Sequence, residues 1–374
     1  MTQHAILSAS AADRWLHCPP SARACAKYPD TKSEYAQEGT DAHALCEYLV
    51  KKSLGMKTKD PTEDLTFYDA VMQSAAEGYA EFVLEKVQEA KETCKDPLVM
   101  VEQRLDFSDY VPQGFGTGDC VIAADDMLYI IDFKYGMGVL VDAEKNPQLM
   151  CYALGAIQLF GELYDFQNVS MSIYQPRRQN VVTYTMPKAE LLNWAETVLK
   201  PTAKLAFEGT GEYKAGSHCK FCKARANCRK RAEYNLEMAK YDFVMPDKLT
   251  KKEIEVILPK INELISWAED IKEYALKKAL AGEHYNGYKV VEGRTTRKYT
   301  SENDVAKVVI AEGLNPYQKK ILGITAMTTL LGKKRFQELL GRFVYKPQGK
   351  PVLTTEDDAR PEFRSPEQDF KEEK

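Results

Sequence analysis

The stretch Cys120-Val-Ile-Ala-Ala-Asp-Asp-Met-Leu-Tyr-Ile-Ile-Asp-Phe-Lys134 decides the fold. Two apolar runs flank Asp125-Asp126, a pattern that predicts a β-hairpin. Asp-Asp is a weaker turn signal than Asn-Gly or Asp-Gly. Taken as a two-residue loop, it puts Asp119 opposite Asp132. Cross-strand partners share a face, with Cβ atoms about 5 Å apart. Lys134, two residues beyond Asp132, shares that face as well. The hairpin thus brings two carboxylates and an ammonium to one spot. Opposed like charges destabilise a strand pair, and a divalent cation between them removes the penalty. Magnesium takes oxygen ligands, commonly one or two carboxylates plus a substrate phosphate. Lys134 would then orient or activate water and stabilise developing charge. An isolated D-x-K is common by chance, but Ile130-Ile131 reads as buried strand, and acids that end a buried strand call for a reason.

Working outward, Ser33 to Leu54 has apolar Ala42, Leu45, Leu49 and Val50 at helical spacing, and Phe67 to Cys94 repeats the pattern. Leu98 to Phe107 alternates as a strand. Pro147 to Phe160 reads as a helix with proline in its first turn. Val169 to Tyr174 and Val181 to Met186 read as two further strands, and Lys188 to Phe207 as one helix. This order predicts an α/β fold, a mixed sheet flanked by helices. Leu249 to Ala281 reads as helix, Tyr288 to Tyr299 as a hairpin, and Glu302 to Phe343 as mostly helical. The expected organisation is a domain over 1–234, a smaller and mostly helical accessory domain over 235–345, and a charged, proline-containing tail over 346–374 that is mobile.

Two helical pairs supplement the hairpin. His43 and Glu47 lie four residues apart, on one helix face, as do Gln148 and Tyr152. Taken singly, each pair fits an ordinary helix face. Glu102, in the strand before the hairpin, is a weaker candidate for metal contact. Gly116, Gly118 and Gly136 flank the acids and would admit a close phosphate backbone.

The chain has 374 residues, a formal net charge of −4 and nine cysteines. The balance argues against coating nucleic acid by charge alone. There is no apolar run long enough for a membrane span and no secretory signal pattern, so a cytoplasmic protein is expected. An odd number of cysteines without such a signal points to a reducing compartment rather than to disulfides. Cys219-x-x-Cys222-x-x-x-x-x-Cys228 forms a compact trio, which needs a fourth ligand to close a zinc site or a cubane cluster. Cys18 is the best candidate. Alternatives are zinc completed by His17 or His218, and free thiols. Cys25, Cys46, Cys94, Cys120 and Cys151 sit in apolar settings and read as small buried hydrophobes. The segment from Lys214 to Arg231 carries seven cations, among them Lys220, Lys223 and Arg225, and no acid, which favours phosphate contact. Arg177-Arg178, Arg294, Arg297 and Lys298 add further basic positions.

Gly39-Thr40-x-x-His43-x-x-x-Glu47, Gly116-Thr-Gly-Asp119, Ile131-Asp132-Phe-Lys134-Tyr-Gly136 and Gln148-x-x-x-Tyr152 occur in an order that resembles PD-(D/E)XK nucleases of the RecB type. The resemblance covers about residues 7 to 231. It implies a restriction-endonuclease-like fold and a magnesium- or manganese-dependent deoxyribonuclease, expected to be an exonuclease. It makes His43, Asp119, Asp132 and the Phe133 carbonyl metal ligands, with Glu102 and Glu47 as further candidates. Lys134 becomes the catalytic lysine, with Asp119 and Asp132, and Gln148 and Tyr152 face DNA. Asp132 stands where glutamate is commoner, an allowed variant. One early and three late cysteines are similar to the layout of AddB-type and CRISPR spacer-processing nucleases, which implies a 4Fe–4S cluster on Cys18, Cys219, Cys222 and Cys228, with zinc as the alternative. The cluster would close a loop of about 200 residues and so restrict the unfolded chain. The whole chain also resembles an uncharacterised phage and prophage family of replication and recombination modules. Expected partners are DNA and a phage single-strand annealing protein, single-strand-binding protein or helicase, because no G-x-x-x-x-G-K-[S/T] is present. Two other readings stay open: a non-catalytic DNA-binding or assembly module of a replication complex, and a zinc-dependent DNA-binding regulator.

Overall fold

The computed structural model describes residues 5–29, 33–237, 249–291, 301–311, 313–314, 316–317 and 321–345. The chain divides into two compact units, Met1–Val291 and Glu292–Lys374. The first is built on a five-stranded sheet in the order β1-β2-β3-β4-β5, comprising β1 (Leu98–Asp106), β2 (Phe115–Ala124), β3 (Met127–Phe133), β4 (Asn168–Gln175) and β5 (Asn180–Pro187). Only β3 and β4 run parallel. The connection between them carries a helix, as a parallel crossover requires. The mixed sheet flanked by helices is the α/β class read from the sequence.

The β2–β3 register is the one that the two-residue Asp125-Asp126 loop dictates: Ala124 pairs with Met127 and Cys120 with Ile131. Both strands are apolar at nearly every position because both faces are covered. On one face, Cys120, Ile122, Tyr129, Ile131 and Phe133 pack under α3 (Glu34–Ser53) and α4 (Ala70–Thr93). On the other, Val121, Ala123, Leu128 and Ile130 join a core shared with α1 (Ala12–His17), α2 (Ser21–Ala26), α5 (Pro147–Phe160), α6 (Lys188–Trp194) and α7 (Lys200–Glu208). Local signals set the ends of these helices. Ser33 and Asp69 cap α3 and α4 by accepting backbone N–H bonds, and Asn146 does the same for α5, whose first residue is proline.

The helix expected over Lys188–Phe207 runs without interruption from Lys188 to Glu208, with a π turn inside it at Ala195–Leu199. Pro201 explains the turn. It has no N–H to give and its ring crowds the preceding turn, and a widened turn relieves both.

Beyond the sheet lie α8 (Arg229–Leu236) and the long α9 (Lys251–Leu280), which opens with a Thr250–Glu253 capping box. The second unit contributes α10 (Glu302–Ala311), α11 (Ile324–Leu331) and α12 (Lys333–Leu340). The expected tail at 346–374, most of the Tyr288–Tyr299 hairpin, and Arg294, Arg297 and Lys298 lie outside the described residues. No helix among the described residues is long and apolar enough to cross a membrane.

Candidate metal centre

Asp132 follows Leu128 and Ile130 on the face of β3 that meets α5, and there its buried carboxylate reaches Gln148. Gln148 Nε2 donates to Asp132 Oδ1 at 2.9 Å and to Tyr152 Oη at 3.2 Å, while Gln148 Oε1 accepts from Lys134 Nζ at 3.0 Å. Lys134 Nζ also lies 2.9 Å from Asp132 Oδ2. That oxygen accepts no aligned hydrogen bond from any described residue, although it is fully buried. It keeps lone pairs open to a further positive partner.

Asp119 lies in β2 one residue beyond the last β2–β3 pair, Cys120–Ile131. Its Oδ2 accepts from the Phe133 N–H at 2.7 Å, and its Oδ1 lies 3.3 Å from His43 Nδ1 of α3. The edge of the Phe133 ring steadies the His43 imidazole, with centroids 5.4 Å apart and planes at 84°. In an extended strand the carbonyl of a residue points to the same side as its N–H, so the Phe133 carbonyl is turned toward Asp119. Glu102 completes the group: ligand atoms of His43, Glu102 and Asp119 all lie within 4.8 Å of one another. The structure therefore brings the weaker sequence candidate fully into the site. Glu47 stays one step back, where its carboxylate accepts from Lys51 Nζ.

Burial and like charge shape these groups. Burial, then the neighbouring Asp119, pushes Glu102 up to about 7. Burial alone would lower His43, but the Asp119 carboxylate outweighs it and raises the imidazole to about 9. Burial raises Asp132, against the opposing pull of Lys134. Burial would likewise lower Lys134, yet Asp132 and Asp119 hold it above the ordinary lysine value. A cluster of buried acids whose charges oppose one another suits a hard divalent cation.

Other site expectations take a different form. Tyr152 is buried, and a Cβ on Gly116 would come within 2.7 Å of its ring. The glycine makes room for tyrosine rather than for a phosphate, and the ring is covered rather than turned to solvent. Gly118 is similarly closed by Leu105, while nothing lies within 4 Å of a Cβ placed on Gly136. Arg225 Nε donates to Asp270 of α9 at 2.7 Å, and Arg231 pairs with the same carboxylate. The basic run between residues 214 and 231 thus meets its acid some forty residues further along the chain. Lys220 lines a polar recess with Arg231, Tyr234 and Asn235. Arg177 pairs with Glu38 and lies over the Tyr135 ring.

Cys18, Cys219, Cys222 and Cys228 line one cavity, together with Arg14, His218, Arg225 and Arg231. No three of these thiols lie within 4.8 Å of one another, whereas four thiolates on one zinc at about 2.3 Å would sit about 3.8 Å apart. Arg14 is buried and donates to the carbonyl and hydroxyl of Ser21, with no carboxylate in ion-pair range among the described residues. Cys25 departs from its expected role as an inert packing residue. Its Sγ lies 3.6 Å from Cys222 Sγ and accepts from the Lys223 N–H at 3.2 Å. The thiol is lowered to about 5, first by the Cys222 contact and further by Arg14, against the effect of burial. No signal in the sequence separated Cys25 from the other buried thiols, because its contact depends on how α2 packs.

A family described as "Protein of unknown function (DUF2800)" matches residues 4–361 of this chain. A solved structure described as "Crystal structure of SSO0001" aligns at 11% identity over 50% of this chain and 95% of that one, with a TM-score of 0.22. At that score the likeness carries no argument about function.

Proposed function

We propose that this chain, which belongs to the DUF2800 family of proteins of unknown function, is a divalent-metal-dependent deoxyribonuclease of the PD-(D/E)XK kind. The observation that carries the reading is the convergence of His43, Glu102 and Asp119 on one spot, with the buried Asp132 carboxylate and the Lys134 ammonium paired beside them on β3 and just past its end. The order of the His43, Asp119, Asp132–Lys134 and Gln148 motifs, which resembles RecB-type nucleases, supports it.

Magnesium or manganese bound by His43, Glu102, Asp119 and the Phe133 carbonyl, with Asp132 beside them, would polarise a phosphodiester and acidify a water. The residues around it have separable tasks. Gln148 fixes Asp132 and Lys134 in one arrangement through two hydrogen bonds, which limits reorganisation when substrate arrives. Lys134 is held in its charged form by Asp132 and Asp119. It therefore suits orienting the attacking water and stabilising negative charge on the phosphoryl oxygens, rather than removing a proton. On this reading Cys18, Cys219, Cys222 and Cys228, which line one cavity, would hold a 4Fe–4S cluster as a staple between the start of the chain and residues 219–228. This reading gives it a structural rather than a catalytic task. A role in phage recombination, replication or end processing, alongside an annealing protein or helicase, follows from the resemblance.

The test is cleavage of end-labelled single- and double-stranded DNA by the full chain, with magnesium or manganese titrated in. The expected result is metal-dependent cleavage that falls by at least about a hundredfold in Lys134→Ala and Asp119→Ala, with DNA binding retained by Lys134→Ala. Unchanged cleavage in both variants would remove the site assignment. Binding without cleavage at every metal concentration would favour the non-catalytic reading.

A further inference from the structure

Between Lys134 and α5 the chain runs through Tyr135-Gly-Met-Gly-Val-Leu-Val141, an apolar segment held in water. Met137 is 53% exposed, Leu140 58% and Val139 36%. Singly exposed apolar residues are ordinary, but three in four positions beside a candidate site form a patch.

The backbone of this segment is not loose. Buried Gln175, at the end of β4, donates through Nε2 to the carbonyls of Gly136 and Val139, each at 2.8 Å, and accepts through Oε1 from the Val141 N–H at 3.2 Å. Asn180 Nδ2 donates to the Val141 carbonyl at 2.8 Å, and Arg178 Nη1 to the Met137 carbonyl at 3.3 Å. Three polar side chains around the β4–β5 turn thus spend their hydrogen bonds on one loop. Such anchoring fixes the tip in place without covering its side chains. A Cβ placed on Gly136 or Gly138 would meet nothing within 4 Å, so these glycines leave open space on both sides of Met137.

Place and charge indicate the occupant. β3 ends at Phe133 and the loop follows directly after Lys134, at the strand end next to Asp132. Exposed Arg178 sets a cation against Met137, which suits a polyanion. Met and Leu carry no groups that read base edges, but they insert between stacked bases and part them. Resting on the nuclease reading of the adjacent site, we propose that Met137 and Leu140 form a wedge that enters the end of a DNA duplex, unstacks its terminal bases, and delivers one strand to Asp119, Asp132 and Lys134. The substrate class is then a duplex DNA end opened at the site, without sequence preference.

The experiment uses the full chain with calcium in place of magnesium, to hold DNA without turnover, and a duplex carrying 2-aminopurine at its terminal positions. Wild-type protein should raise the probe's fluorescence about fivefold as stacking is lost. Met137→Ser/Leu140→Ser should bind the duplex within about threefold of wild type, since phosphate contacts dominate affinity, and should leave the probe near its free-duplex signal. Met137→Leu/Leu140→Met, which keeps the apolar tip, should restore the rise. Binding without a rise in wild type, or a full rise in the serine variant, would overturn the wedge while the nuclease reading stands, and would leave the loop to a protein contact. Absence of DNA binding by the wild type would overturn both.

Discussion

Glu102 of β1 stands opposite Asp119 of β2, between the pairs Val101–Cys120 and Gln103–Gly118, and its backbone there is left-handed, with φ 55°. A non-glycine residue rarely adopts that conformation, and when it does the surroundings must compensate. Two acids face each other where the ladder is locally interrupted, and His43 of α3 reaches down to both. The arrangement is poor as hairpin stabilisation and good as a cation cradle.

Glu102→Gln separates the two roles. Removing one charge relieves the repulsion in the metal-free protein, whose thermal midpoint should rise by a few degrees. Losing a ligand should weaken manganese binding about tenfold, worth about 1.4 kcal/mol, and so shrink the manganese-induced rise in midpoint by about 3–5 °C. Thermal melts with and without manganese check both signs. An unchanged manganese shift would remove Glu102 from the ligand set.

The pH dependence of the metal-free protein follows from the same groups. Folding raises His43 from 6.5 to about 9, a stabilisation present in full below pH 6.5 and lost as pH rises through 9. It raises Glu102 from 4.5 to about 7, a contribution lost between pH 4.5 and 7. Both slopes have the same sign, so the midpoint in EDTA should fall as pH rises from about 5 to 9 on account of this site. Metal ligation must displace the same protons, so manganese affinity should climb over pH 6–9. Melts in EDTA and calorimetric titrations with manganese across that range give the two curves. His43→Ala should flatten the upper part of each, and a manganese affinity that falls toward pH 9 would contradict the site.

Legibility in the sequence divides along the range of the interactions. The β2–β3 hairpin was readable because two apolar runs and a short turn fix the pairing locally, and the Asp119–Asp132–Lys134 cluster comes with it. The helix starts at Ser33 and Pro147 are likewise local, whereas the helix read from Phe67 begins only at Ala70, after the Asp69 cap. Glu102 is the weaker candidate in the sequence because its meeting with Asp119 depends on the β1–β2 register, which no tight turn pins. The Arg225 and Arg231 pairing with Asp270 depends on α9 packing by the cysteine loop, a contact over roughly forty residues of chain. Glycines flanking an acid look the same in sequence whether they admit a ligand or a ring, and Gly116 admits Tyr152.

Cys18 and Cys25 differ in what they would contribute to a cluster. Both thiols are buried near Cys222, but only Cys18 lines the cavity with the late trio, while Cys25 touches Cys222 from outside it. Protein purified without oxygen should absorb at about 400 nm and contain about four iron atoms per chain. Cys18→Ser should lose the absorption and, because a staple across about 200 residues is opened, lower the midpoint by roughly 10 °C, some 4 kcal/mol. Cys25→Ala should keep iron and absorption, since its thiol leaves a ligand's neighbour and not a ligand. The reverse pattern would make Cys25 the fourth ligand. Stoichiometric zinc without visible absorption in the wild type would assign a closed zinc site, and the sulfurs would then have to draw in from the spacing observed here to about 3.8 Å.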